Sequence, residues 1–311
     1  MSHPLSGIVV VSVAINLPGP LAASRLTELG ATVIKVEPPP GDPLRSVAPH
    51  WYEELVTGQD VVPLDLKDPA SRSEFEELLT DADVLLTSMR PSALARLDLG
   101  EILKTRGIAL VEIVGHDGAR AEQPGHDLTY QAEHGTLLPP ALPLVPVADI
   151  LGSERAVVAT LSALRQRDQG LQGVHEKVVL EEAAHAAAAG TRHGLTSPGA
   201  VLGGAIPAYG VYATADGFVA VAAIEPHFAE RLTRLVGGTR EELTRSFATR
   251  PTAYWTAWGQ AQDLPLVAVA SPGALPTTEP VYAAAAPREP PGPLRPASAS
   301  MPRHRTPGTR P

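Results

Sequence analysis

The sequence predicts an α/β protein built on a parallel sheet, followed by a smaller α+β domain. Three observations carry this. Short β-branched runs alternate with amphipathic helical stretches over residues 7–190. Glycine and proline punctuate the junctions. From residue 206 the pattern changes to hairpin spacing around an Asp216-Gly217 turn.

"GIVVVSVA" (7–14) reads as a buried strand, ended by "NLPGP" (16–20). "LAASRLTELG" (21–30) is a helix closed by Gly30. "TVIKVEP" (32–38) is the second strand, "PPPGDPLR" (38–45) a rigid loop, and "DVVPLDL" (60–66) a third extended piece. A helix over 68–82, a strand over 83–89, a helix over 91–106 and a strand over 107–115 complete the run. Strands spaced by helices of this length pair in parallel through right-handed crossovers. Such sheets bind ligands beyond the carboxyl ends of their strands. "GHDL" (125–128) follows a strand and falls in that region.

A long helix is predicted over 149–170, with Ala156, Val157, Leu161 and Leu164 as its apolar stripe. Residues 175–190 read as a strand passing into an Ala-rich helix. "IPAYGVYATADGFVAVAAIEPHF" (206–228) is a β-hairpin leading into a helix. The expected boundaries are a large α/β domain over 1–200 and a small α+β domain over 201–271. Residues 272–311, rich in Pro, Ser and Arg, read as a tail or a return strap with little to bury.

The 311 residues, 44% hydrophobic, suffice for one large or two modest domains with real cores. The formal charge of −9 argues against a nucleic-acid partner. With no cysteine, disulfides, thiolate metal sites and Cys nucleophiles are excluded. The start has no charged n-region, and no run reaches the roughly 18–20 apolar residues of a membrane span. A soluble cytoplasmic protein with no membrane partner is expected.

G-x-G-x-x-G, G-x-x-x-x-G-K-[ST], H-E-x-x-H and G-x-S-x-G are all absent. No standard dinucleotide, ATP, metal or hydrolase site is therefore expected. Three residues remain. His126 follows a strand end, Asp149 opens the long helix, and Glu225 follows the hairpin. Each has a plain reading beside a catalytic one: a surface imidazole, an ordinary N-cap and a helix-start carboxylate. Asp127 is expected to cap the turn that follows it.

"GPLAASRLTELGATVIKVEPPPGDPLR" resembles the opening of the family III CoA-transferase and α-methylacyl-CoA racemase superfamily (CaiB/BaiF type). "LDLKDP", "ADVLLTSMRPSALARLDLG", "PGHDLTYQAEHG" and "ADILGSERAVVATLSALRQRDQG" continue it in the family's order. "YGVYATADGFVAVAAIEPHFAERL" resembles the start of its small domain, so the similarity spans about residues 5–270.

The resemblance implies a Rossmann-like large domain, a small α+β domain and an interlocked homodimer. It implies no tightly bound cofactor; coenzyme A arrives as part of an acyl-CoA substrate. CoA contacts would come from Leu17, Gly19, Leu64, Lys67, Arg90 and Arg96, the cations suiting its phosphates. Two chemistries are implied. In the racemases, an aspartate at the position of Asp149 and a histidine at that of His126 exchange the α-proton, with a glutamate at that of Glu225 assisting. In the transferases, the same aspartate attacks the thioester. His126 has no obvious place in transfer and favours racemisation of 2-methylacyl-CoA thioesters. Backbone N–H groups at the start of the long helix are candidates to stabilise the enolate. A degenerate, non-catalytic CoA-binding subunit is the third reading.

Overall fold

The computed structural model describes residues 3–271; the expected tail or strap, 272–311, lies outside them. The larger sheet contains β1 (Val9–Ser12), β2 (Thr32–Glu37), β3 (Asp60–Pro63), β4 (Val84–Thr87), β5 (Ala109–Val114) and β6 (His175–Val179). Every pairing in it is parallel, in the order β3-β2-β1-β4-β5-β6. That is the doubly wound order, with its reversal between β1 and β4.

The crossovers are helical. α1 (Pro18–Glu28) follows β1. α2 (Pro43–Val47) and α3 (Pro49–Leu55) follow β2, and α4 (Pro69–Leu79) follows β3. α5 (Pro91–Ala95) and α6 (Gly100–Arg106) follow β4. α7 (Asp127–Glu133) and α8 (Val147–Asp168) lie between β5 and β6, and α9 (Leu180–Ala187) and α10 (Ala189–Arg192) come next.

Successive strand residues face opposite sides. Val10, Val84 and Leu86 pack with Ala22 and Leu26 of α1 and Ala156 and Leu164 of α8. Val11, Val13 and Leu85 pack on the other face with Phe75 and Leu79 of α4. Both faces are covered, which is why the strands read as continuous apolar runs.

Three elements differ from the sequence expectation. The expected loop over 38–45 gives way at Pro43 to the first of two helices of only 5 and 7 residues. They are too short for a periodic signal, yet parallel β2–β3 pairing demands a crossover. The helix expected over 91–106 is split, because Asp98 takes a left-handed φ of 47° between buried Leu97 and Leu99. The long helix begins at Val147, so Asp149 lies inside its first turn rather than opening it.

The smaller sheet is antiparallel: β7 (Tyr209–Ala213), β8 (Phe218–Ala222) and β9 (Leu266–Ala268), in that order. α11 (Pro226–Leu235), α12 (Arg240–Phe247) and α13 (Thr252–Ala261) complete it. Its core sets aliphatic residues such as Val219, Leu232 and Leu266 around Tyr212, Phe247 and Trp255, which are in ring contact. Asp216 in the hairpin turn accepts the Thr252 N–H at 2.7 Å, tying the turn to α13. No helix among the described residues is long and apolar enough to cross a membrane.

Candidate active site

A cleft of about 200 Å³ opens at the carboxyl ends of β1, β4 and β5. Asn16, Arg90, Gly115, His126, Tyr130 and Asp149 line it. It therefore sits at the point where the strand order reverses.

The β1–α1 turn beside the cleft is held from below by buried charge. Lys35 of β2 donates to the Ala14 carbonyl at 3.1 Å and to Asp42 at 2.8 Å. The other Asp42 oxygen accepts from the Asn16 N–H at 3.0 Å and from Leu44 N–H, which caps α2. Both side chains are buried and paired, and buried Glu37 lies 3.4 Å from the same ammonium. Gly19 presses against the same turn: a Cβ there would lie 2.3 Å from that of Ala14.

His126 precedes α7 as its N-cap residue and is exposed on the cleft. Its backbone is fixed by Thr129, whose hydroxyl accepts from His126 N–H and donates to His126 C=O. Asp127 does not cap the turn after it, as the sequence suggested. It reaches across to α8, whose own N-cap, Pro146, offers no side-chain acceptor. Asp127 Oδ1 accepts from Ala148 N–H at 2.7 Å and Asp149 N–H at 3.3 Å. Its Oδ2 accepts from Gln131, which also donates to the Val145 carbonyl. Asp127 thus supplies the cap that α8 lacks and fixes the turn carrying Asp149.

This corrects a second expectation. The first N–H groups of α8 are not open to an enolate: Val147 donates to Val145, Ala148 and Asp149 to Asp127, and Ile150 to Pro146. Asp149 itself is half-buried close to that carboxylate. Burial first, and the charge of Asp127 second, push its carboxyl up to about 7. Near neutral pH it populates both its protonated and its ionised form.

The fold brings His126, Asp149 and Arg90 to one cleft. Leu17 is partly buried at the start of α1 and Gly19 is buried within it. Leu64 is buried in the core; Lys67 and Arg96 are exposed; none of the three lines the cleft. Glu225 is the exposed N-cap residue of α11 and does not line it either. Sequence reasoning missed Asp127 and Tyr130. The spacing of His126 and Tyr130, one helical turn apart in "GHDLTY", was the available signal for the latter.

Among the described residues, His116, Glu133 and Glu181 converge as potential metal ligands. A cation already sits there. Arg120 donates to Glu181 at 2.9 Å and to both Glu133 oxygens, while His116 pairs with Glu181 at 2.6 Å.

Fold and site together define a doubly wound α/β protein with a histidine and an aspartate in one cleft at its switch point. The chain belongs to CoA-transferase family III, whose model matches residues 5–253. It is 31% identical to the alpha-methylacyl-CoA racemase of Homo sapiens over 77% of this chain and 66% of that one. It is 30% identical to the acetyl-CoA:oxalate CoA-transferase of Acetobacter aceti over 55% of this chain and 49% of that one. The chain thus spans about half to two thirds of the length of these relatives. A crystal structure of a hypothetical protein from Mycobacterium tuberculosis superposes with a TM-score of 0.74 at 24% identity, over 87% of this chain and 86% of that one, and is alike in fold.

Proposed function

We propose that the protein acts on acyl-CoA thioesters and racemises 2-methylacyl-CoA by two-base α-proton transfer between His126 and Asp149. The observation that carries this reading is the shared cleft, with one of the pair held at a pKa of about 7. A group poised there both gives and takes a proton at neutral pH. A neutral His126 removes the α-proton on one face; protonated Asp149 returns one on the other, and the roles exchange in the reverse direction. The exposed Arg90 at the cleft rim suits the phosphates of the CoA moiety.

The test is deuterium wash-in at the α-carbon of a panel of 2-methylacyl-CoA thioesters in D₂O. Exchange that falls at least ~100-fold in His126→Ala and in Asp149→Asn is expected, within the range for a lost acid–base group. No exchange with any thioester sinks the reading.

CoA transfer through Asp149 is the second reading, supported by the relatives that carry that activity in their names. There the Asp149 carboxylate attacks the thioester carbonyl, the C–S bond breaks and CoA leaves as the thiolate. That thiolate then attacks the Asp149 carbonyl of the mixed anhydride, releasing the acid. Hydroxylamine trapping would mark Asp149 if this occurs; full transfer by Asp149→Ala would rule it out. A non-catalytic CoA-binding subunit, the third reading, requires CoA binding without either turnover. The homodimer belongs to the same proposal. In a single chain, Glu225 lies outside the cleft lining, so its assisting role depends on assembly.

A further inference from the structure

With the first N–H groups of α8 taken by Asp127, Val145 and Pro146, a thioester oxygen needs another donor. Tyr130 is the group positioned for it. It lies on α7 one turn beyond His126, with its N–H bonded to the His126 carbonyl. The residue is only 2% exposed, and it lines the cleft with His126 and Asp149.

Two glycines make that position possible. A Cβ on Gly115, at the end of β5, would lie 2.3 Å from the Tyr130 hydroxyl, and one on Gly125 would lie 2.7 Å from it. Neither glycine has a positive φ, so backbone conformation does not call for them. The reason for glycine at both places is the passage of the phenol between them. The ring is also held edge-on by His116, at 5.2 Å between centroids.

At the end of this channel the hydroxyl makes no hydrogen bond to any described residue. The oxygen is not among the enclosed polar atoms that lack a partner; it opens on the cleft, where a bound acceptor can meet it while the ring stays buried. Burial first, and the charge of Asp149 second, push the phenol up to about 12. It stays protonated at neutral pH and acts as a donor, not a base.

We propose that the Tyr130 hydroxyl is a catalytic hydrogen-bond donor to the carbonyl oxygen of an acyl thioester bound in this cleft. The inference rests on the acyl-CoA reading above but not on which reaction follows. The bond strengthens as negative charge grows on that oxygen, in an enolate or in a tetrahedral adduct alike, and no proton leaves Tyr130.

Tyr130→Phe tests this, since it keeps the ring between the glycines and removes only the oxygen. The probes are acetyl-CoA and a 2-methylacyl-CoA, each ¹³C-labelled at the thioester carbonyl. Difference infrared spectra should show the carbonyl stretch of the wild-type complex below its free value, and that shift should vanish in Tyr130→Phe. Turnover, by exchange or by transfer, should fall about 100-fold in kcat with KM little changed, the size seen for one lost donor of this kind. Circular dichroism and Tm check that the variant is folded. Identical carbonyl bands in wild type and Tyr130→Phe overturn the proposal. A shifted band without α-proton exchange by the wild type overturns racemisation and leaves Tyr130 in its role. Failure of the wild type to bind either thioester overturns both.

Discussion

At the scale of single residues, Asp149 and Asp127 determine what the cleft can do. The folded pKa of Asp149, about 7, lies above its free value of 3.8. The folded protein holds this proton more tightly than the unfolded chain does. The resulting stabilisation is complete below the free value and is lost as pH rises through about 7. Asp149→Asn, which carries no charge to bury, should therefore raise Tm relative to wild type at pH 8 and lose that advantage at pH 4. A gain of about 1 kcal/mol would read as ~2–4 °C in a melting curve. Asp127 pushes in the same direction, so Asp127→Asn should lower the Asp149 pKa. The inflection near pH 7 in the exchange rate should move to lower pH, and a profile unmoved by the substitution would contradict the coupling. These residues were unequally legible. His126 and Asp149 could be named from sequence only through the ordered resemblance, because taken alone each read equally as a surface imidazole or an ordinary cap. Asp127 could not, because its partners lie about twenty residues away on another helix, and only the packing of α7 against α8 reveals them.

At the scale of elements, the site depends on turns kept rigid by close approach. The β1–α1 turn is gripped by Lys35 and Asp42 from below and by Gly19 from the side. Gly19→Ala would overlap Ala14, including its backbone carbon at 3.0 Å, so side-chain rotation cannot relieve it. A loss of about 1–3 kcal/mol is expected, the range for an overpacked core, read as a lower midpoint in urea. Asp42→Ala should also cost about 1–3 kcal/mol, since it leaves the buried Lys35 ammonium with Glu37 alone, at 3.4 Å, and strips the Asn16 and Leu44 N–H groups of their acceptor. The strands and the longer helices were legible, because periods of 2 and 3.6 persist through them. α2 and α3 were not, being too short to display a period, and neither was the break at Asp98, which depends on a left-handed residue between two buried leucines.

At the scale of the whole molecule, the segment between α7 and α8 leaves apolar surface unburied. Leu138, Leu142 and Leu144 are 69%, 74% and 81% exposed. A cluster of this kind suits the proposed homodimer better than open water. The expected outcome is sedimentation as a dimer at micromolar concentration, shifted toward monomer by Leu142→Asp combined with Leu144→Asp. Equal sedimentation of wild type and variant would remove this segment from any interface.

Local pattern by itself determined the parallel sheet, its helical crossovers, the separate hairpin and the region beyond the strand ends where a ligand belongs. It could do so because periodicity, caps and glycine stops act over a few residues. The tertiary structure alone decided which polar groups meet. It closed the start of α8 with Asp127, raised the Asp149 carboxyl by burying it, threaded Tyr130 between Gly115 and Gly125, and left Glu225 outside the cleft of its own chain. Those outcomes depend on distances between segments far apart in sequence, which no short-range pattern encodes.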